Sequence, residues 1–104
     1  TPATYNDPEL TERLAAVARR TLGDDNVSRP EPRMGGEDFS EYGRAGVPIC
    51  MFWLGTIPPE KIEAAKNGTP LPSLHSSLYT PDPEPSIKTG VRTMSALVID
   101  LLKP

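Results

Sequence analysis

The sequence predicts an α/β fold with a mixed sheet and flanking helices. Three observations carry that expectation. Two amphipathic helical stretches frame the chain, Pro8 to Leu22 and about Pro85 to Leu102. Between them, Val47 to Leu54 is apolar nearly throughout, the pattern of a strand covered on both faces. Helical and extended segments alternate, which favours helices layered on a sheet. At most two strands can be read, so the sheet is too narrow to satisfy its own central strand. The chain therefore reads as part of a domain.

Thr1 to Tyr5 suits the end of a strand. Asp7 is an N-cap type, Pro8 fits the first helical position, and Glu9 suits the positive end of the helix dipole. Leu10, Leu14, Val17, Ala18, Thr21 and Leu22 then recur at three- and four-residue steps, with Glu12, Arg13, Arg19 and Arg20 off the stripe. Gly23 ends that helix. Asn26 to Pro32 is weakly strand-like, and its prolines confine it to an edge or an extended connection. Met34-Gly35-Gly36 is a turn. Asp38 and Glu41 have capping-box spacing, opening a short helix that runs to about Arg44 and stops by Gly46. Gly55 closes the apolar run after Leu54. Pro58 to Lys66 is a short proline-started helix ended by Asn67-Gly68. The last helix presents Ile87, Val91, Met94, Leu97, Val98 and Leu101 as its buried stripe, with Lys88, Arg92 and Asp100 outside.

A chain of 104 residues holds one small core. Its net charge of −3 argues against a nucleic-acid partner. No apolar run approaches the ~20 residues that cross a bilayer, and no signal-peptide pattern opens the sequence. Cys50 is the single cysteine and reads as a small buried hydrophobe. A cytoplasmic location is expected. The thirteen prolines gather between structured segments, the pattern of ordered, stiff loops.

Three places bear chemistry. His75 is the only histidine, in Leu71-Pro72-Ser73-Leu74-His75-Ser76-Ser77-Leu78-Tyr79. Pro70, Pro72, Pro81, Pro83 and Pro85 crowd that loop, and Leu74, Leu78 and Tyr79 are its expected apolar anchors. A lone loop histidine reads first as a surface or capping residue; an imidazole held stiffly there also suits a metal ligand or a catalytic base. Gly35-Gly36-Glu37-Asp38 is a glycine turn opening a helix, whose backbone N–H groups can bind a carboxylate or phosphate. Capping alone explains Asp38, whereas nothing in the local pattern requires Glu37. A helix N-terminus explains Asp82 and Glu84.

Met34-Gly35-Gly36-Glu37-Asp38-Phe39, the run from Val47-Pro48 to Leu54-Gly55, and Leu74-His75-Ser76-Ser77-Leu78-Tyr79 before a long helix together resemble the C-terminal part of the M20 metallopeptidase family. The resemblance is to its amidohydrolase branch of aminoacylases, hippurate hydrolases and auxin-conjugate hydrolases. Asn6-Asp7 and the following helix are similar to the family where the chain returns from the lid or dimerisation domain. The resemblance implies residues 1–6 as the end of that domain or a linker, and 7–104 as the C-terminal part of a layered zinc-peptidase-like catalytic domain. It implies a two-metal site, usually zinc, sometimes manganese or cobalt, that hydrolyses amides of N-acyl amino acids or small peptides. By that match His75 binds one metal, Gly35 and Gly36 lie near the substrate, and Glu37 lines the pocket or supports the metal ligands from behind. The family's Cys-Gly-His segment, paired glutamates and middle histidine are absent. Pro58 to Gly68 is longer than the usual connection, which bears on substrate fit.

The expectation is a C-terminal fragment of an amidohydrolase, inactive alone, whose partners are its substrate and the missing N-terminal portion of the same enzyme. The alternative is a non-catalytic α/β interaction or structural module with an incidental histidine. Bare apolar surface further predicts self-association, by strand exchange or paired helices.

Overall fold

The computed structural model describes residues 2–33 and 35–104. Thr1 and Met34, which begin the expected strand end and the expected glycine turn, lie outside the described residues. Among the described residues four α-helices form: α1 (Pro8–Leu22), α2 (Ser40–Arg44), α3 (Pro59–Lys66) and α4 (Pro83–Leu101). A 3-10 turn, Asp24–Asn26, follows α1. No strand forms among the described residues, so the mixed sheet expected from the sequence is overturned. The chain divides into two compact units, Thr1–Trp53 with Arg92–Pro104, and Leu54–Val91.

In the first unit α1 begins as its residues dictate. The Asp7 carboxylate accepts from the Leu10 N–H at 2.8 Å, and Pro8 opens the first turn. Gly23 ends the helix with φ of 93°, a backbone shape costly for other residues, and its N–H donates to Arg19 O. Leu14 and Val17 pack with Leu97 of α4, and half-buried Leu10, Cys50 and Ala96 close around them.

Val47 to Leu54 is extended but unpaired as a strand. The Asp7 N–H donates to Ile49 O at 2.8 Å. The Asn6 side-chain amide accepts from Met51 N–H and donates to Met51 O, both at 2.8 Å. One amide thus occupies both hydrogen-bonding groups of Met51, as a neighbouring strand would. The ladder goes no further because residue 8 is proline, with no N–H, and the chain there turns into α1. Ile49 is buried and approaches Gly43 of α2 so closely that a Cβ on Gly43 would stand 3.0 Å from Ile49 Cδ1. Val47, Phe52, Trp53 and Leu54 are exposed, against the expectation of cover on both faces. Asn26 to Pro32 also forms no strand: Pro30 and Pro32 contribute no donors.

The expected buried stripe of α4 is corrected too. Of its six residues only Leu97 is buried. Leu97 packs on Leu14 and Val17 of α1, and Asp100 answers Arg13. Arg13 Nε donates to Asp100 Oδ2 and Arg13 Nη2 to Asp100 O, each at 2.7 Å. The Arg13 bond, foremost, holds the Asp100 carboxyl below its ordinary 3.8, against the opposing effect of burial; the charges of Arg13, Lys103 and Arg20 add to the lowering.

In the second unit, α3 stops at Asn67 and Gly68. Gly68 has φ of 105°, and Thr69 N–H donates back to Ala64 O. Gly90 of α4 gives room to Leu54, since a Cβ there would lie 3.2 Å from Leu54 Cδ2.

Two outcomes follow. Asn6→Ala leaves both backbone groups of Met51 without this partner and destabilises the fold by about 1–3 kcal/mol, read as a lowered urea midpoint. Asp100 has its pKa lowered on folding, so its contribution is complete above 3.8 and is lost as pH falls through the lowered value. Urea midpoints in acid therefore fall less steeply for Asp100→Asn than for the parent. Equal slopes would show that the Arg13 pair does not form in solution.

Candidate functional site

His75 sits in the second unit on consecutive turns. Ser76 N–H donates to Ser73 O and Tyr79 N–H to Ser76 O, both at 3.1 Å. Ser76 Oγ also accepts from Leu78 N–H. The loop's anchors differ from expectation. Leu71, Leu74 and Leu78 are exposed. The fastening comes from Thr56, whose hydroxyl bonds the Tyr79 hydroxyl and whose carbonyl accepts from Asp82 N–H at 2.8 Å. Two polar ties to one threonine replace the hydrophobic clamp. The His75 side chain is exposed, and its ring forms no hydrogen bond among the described residues.

Gly35, Gly36 and Glu37 belong to the first unit. A Cβ on Gly35 would meet nothing within 4 Å, so packing within the chain does not demand glycine there. Its backbone is open to approach from outside. Glu37 is tied locally. Its carbonyl accepts from Ser40 N–H at 3.1 Å and from the Thr4 hydroxyl at 3.5 Å. Its carboxylate accepts weakly from Phe39 N–H at 3.4 Å. The expected capping box is overturned: Phe39 holds the N-cap position of α2 with no side-chain cap bond. Glu41 pairs instead with Arg44 at 3.3 Å. Glu37, one residue before Asp38, takes up the Phe39 donor.

One contact here escaped sequence reasoning. The Arg33 guanidinium lies over the Trp53 ring, 5.9 Å from its centroid. It ties the segment leading to the glycine turn to the end of the extended run. An arginine two residues before a glycine pair is the only local signal, and it names no aromatic partner.

The described residues contain no group of three or more His, Cys, Asp or Glu side chains able to hold a metal. His75 is an exposed imidazole outside any such group among the described residues. The described residues do not by themselves complete a metal centre. Cys50 packs against the α1–α4 core but is only half-buried, short of the buried position expected for it.

The model of peptidase family M20/M25/M40 matches residues 1–99. A putative amidohydrolase, YhaA, from Bacillus subtilis (strain 168) is 40% identical over 63 residues, 59% of this chain and 16% of that protein. An N-acetyldiaminopimelate deacetylase of Geobacillus thermodenitrificans (strain NG80-2) is 44% identical over 62 residues, 60% of this chain and 16% of its own. A deacetylase of the same name from Shouchella clausii (strain KSM-K16) is 46% identical over 55 residues, 53% of this chain and 14% of its own. The aligned part thus spans about one-sixth of the length of these curated relatives. No solved structure matches the chain.

Trp53 is the sole tryptophan and reports on the Arg33 contact. Arg33→Ala increases acrylamide quenching of its fluorescence and lowers stability by about 0.5–1 kcal/mol. Unchanged quenching would mean that the guanidinium does not cover the indole.

Proposed function

The chain belongs to peptidase family M20/M25/M40, and from that membership we propose that it is the C-terminal portion of a metal-dependent amidohydrolase acting on N-acyl amino acids or small peptides. The observation that carries the reading is the family match over residues 1–99. Two of the relatives named above are deacetylases of an N-acetylated compound, which fits an N-acyl substrate.

Residues 1–6 then end a lid or dimerisation domain or a linker, and residues 7–104 belong to the catalytic domain. His75 offers its ring nitrogen to one of two divalent cations, zinc by preference, manganese or cobalt in its place. Such cations polarise a carbonyl and supply a water acidic enough to ionise near neutral pH. Gly35 and Gly36 present backbone to the substrate carboxylate, where N–H groups suit an anion. Glu37 borders that position. The remaining ligands and the general base lie in the N-terminal portion of the same enzyme, so the 104-residue chain alone is inactive. Its single cysteine forms no internal disulfide, and the cytoplasm is the proposed compartment.

The test joins this chain to the preceding portion of an M20 hydrolase and measures zinc content and hydrolysis of N-acetyl amino acids. His75→Ala lowers kcat/KM by at least about 100-fold and lowers bound zinc, as loss of a metal ligand requires. The isolated chain shows no turnover with added zinc. Unchanged zinc content and activity in His75→Ala would remove the ligand assignment; turnover by the isolated chain would remove the proposed division of the active site.

A further inference from the structure

We propose that Asn67-Gly68, the stop of α3, is a self-modifying site: the Asn67 side chain is deamidated through the Gly68 backbone nitrogen when the end of α3 opens, and the product weakens that stop. The proposal is independent of the hydrolase reading.

The side-chain amides of this chain are Asn6, Asn26 and Asn67, and it has no glutamine. Two of them are committed. Asn6 holds Met51 through both of its polar atoms, and Asn26 Nδ2 donates to Leu22 O at 2.7 Å. Asn67 is exposed, and its side chain makes no hydrogen bond among the described residues. The following residue differs as well. Asn6 precedes Asp7 and Asn26 precedes Val27, whose side chains crowd the approach to the next backbone nitrogen. Asn67 precedes glycine, which has no side chain to do so.

The reaction needs only water. The Gly68 nitrogen attacks Asn67 Cγ and gives up its proton, and the amide nitrogen leaves as ammonia. The product is a five-membered succinimide. Water then splits one of its two carbon–nitrogen bonds. Breaking the bond to Cγ leaves aspartate; breaking the bond to the main-chain carbonyl leaves isoaspartate, with the backbone running through Cβ.

The closed stop holds the reacting atoms apart. Asn67 has ψ of 15°, which turns its Cβ away from the Gly68 nitrogen across the bond to the carbonyl carbon. The Gly68 N–H is donated to Ala65 O at 3.2 Å. Reaction therefore requires the last turn to open, and little resists that. No residue of α3 is buried. Its end is held by the N–H groups of Asn67, Gly68 and Thr69 and by an exposed Lys66–Glu63 pair at 3.0 Å. Few buried contacts and exposed backbone bonds mark a segment that opens by itself, without the rest of the fold. Aspartate at this position sets a carboxylate at the negative end of the helix dipole, one turn from Glu63. Isoaspartate lengthens the main chain between Asn67 and Gly68, so the Gly68 and Thr69 N–H groups lose register with Ala65 O and Ala64 O.

Peptide mapping by mass spectrometry follows the 104-residue chain and a synthetic peptide of residues 61–71 in the same mildly alkaline buffer. The chain is expected to convert at Asn67 between about threefold and a hundredfold more slowly than the peptide, the range of a local opening, while Asn6 and Asn26 stay intact. Asn67→Asp is expected to speed hydrogen exchange at the Gly68 and Thr69 amides about two- to fivefold. A rate within about threefold of the peptide's overturns the proposal, since the stop then restrains nothing. A rate more than about a hundredfold lower also overturns it, because reaction then waits for global unfolding, which suppresses it roughly a thousandfold or more. Conversion at Asn26 as fast as at Asn67, or unchanged exchange in Asn67→Asp, does the same.

Discussion

The first unit depends on a dipeptide. Asn6 supplies one amide that matches both the N–H and the C=O of Met51, and the Asp7 N–H reaches Ile49 O. The Asp7 carboxylate meanwhile caps α1 through Leu10. The residues that start the helix are thus the residues that hold the extended run against it. Three bonds of 2.8 Å stand where a sheet would have placed a ladder. Backbone groups shielded from water must be satisfied somewhere, and at half-buried Met51 one polar side chain does so.

That anchoring places Ile49 in the interior and sets what can lie beside it. Gly43 is the residue of α2 that lets Ile49 approach, since any Cβ there would crowd its methyl. On the other side, Cys50 joins the cluster built by Leu14, Val17 and Leu97. Arg13 holds both the carboxylate and the carbonyl of Asp100. The apolar stripe that a helical pattern would send to the core is exposed apart from Leu97, which packs on Leu14 and Val17.

The chemistry is distributed in the same partial way. His75 is displayed by a loop that two bonds to Thr56 hold in place, and its leucines are left uncovered. Gly35 is a glycine without an internal reason to be one. Glu37 spends its carbonyl and part of its carboxylate on the start of α2. Among the described residues these side chains build no metal-holding group, and the aligned part of the chain covers about one-sixth of its relatives' length.

By itself the sequence determined the ends of α1, the stop of α3 and the family. Asp7, Pro8 and Gly23 bounded α1 correctly because capping, proline's fixed φ and glycine's freedom act within a few residues. Asn67-Gly68 ended α3 for the same reason, and the glycine turn with the Leu-His-Ser loop carried the M20 resemblance. Pairing was not legible. An apolar run reads alike whether its backbone meets another strand or the amide of Asn6, because pattern records burial preference and not the hydrogen-bond partner. Which side of α4 turns inward was equally undetermined. Asp100 counts as polar in any periodic pattern, and only the arrival of Arg13, 87 residues away in the chain, makes it the buried side. Arg33 over Trp53 belongs to the same class. Contacts between residues distant in sequence are set by the folded geometry, and composition carries no trace of them.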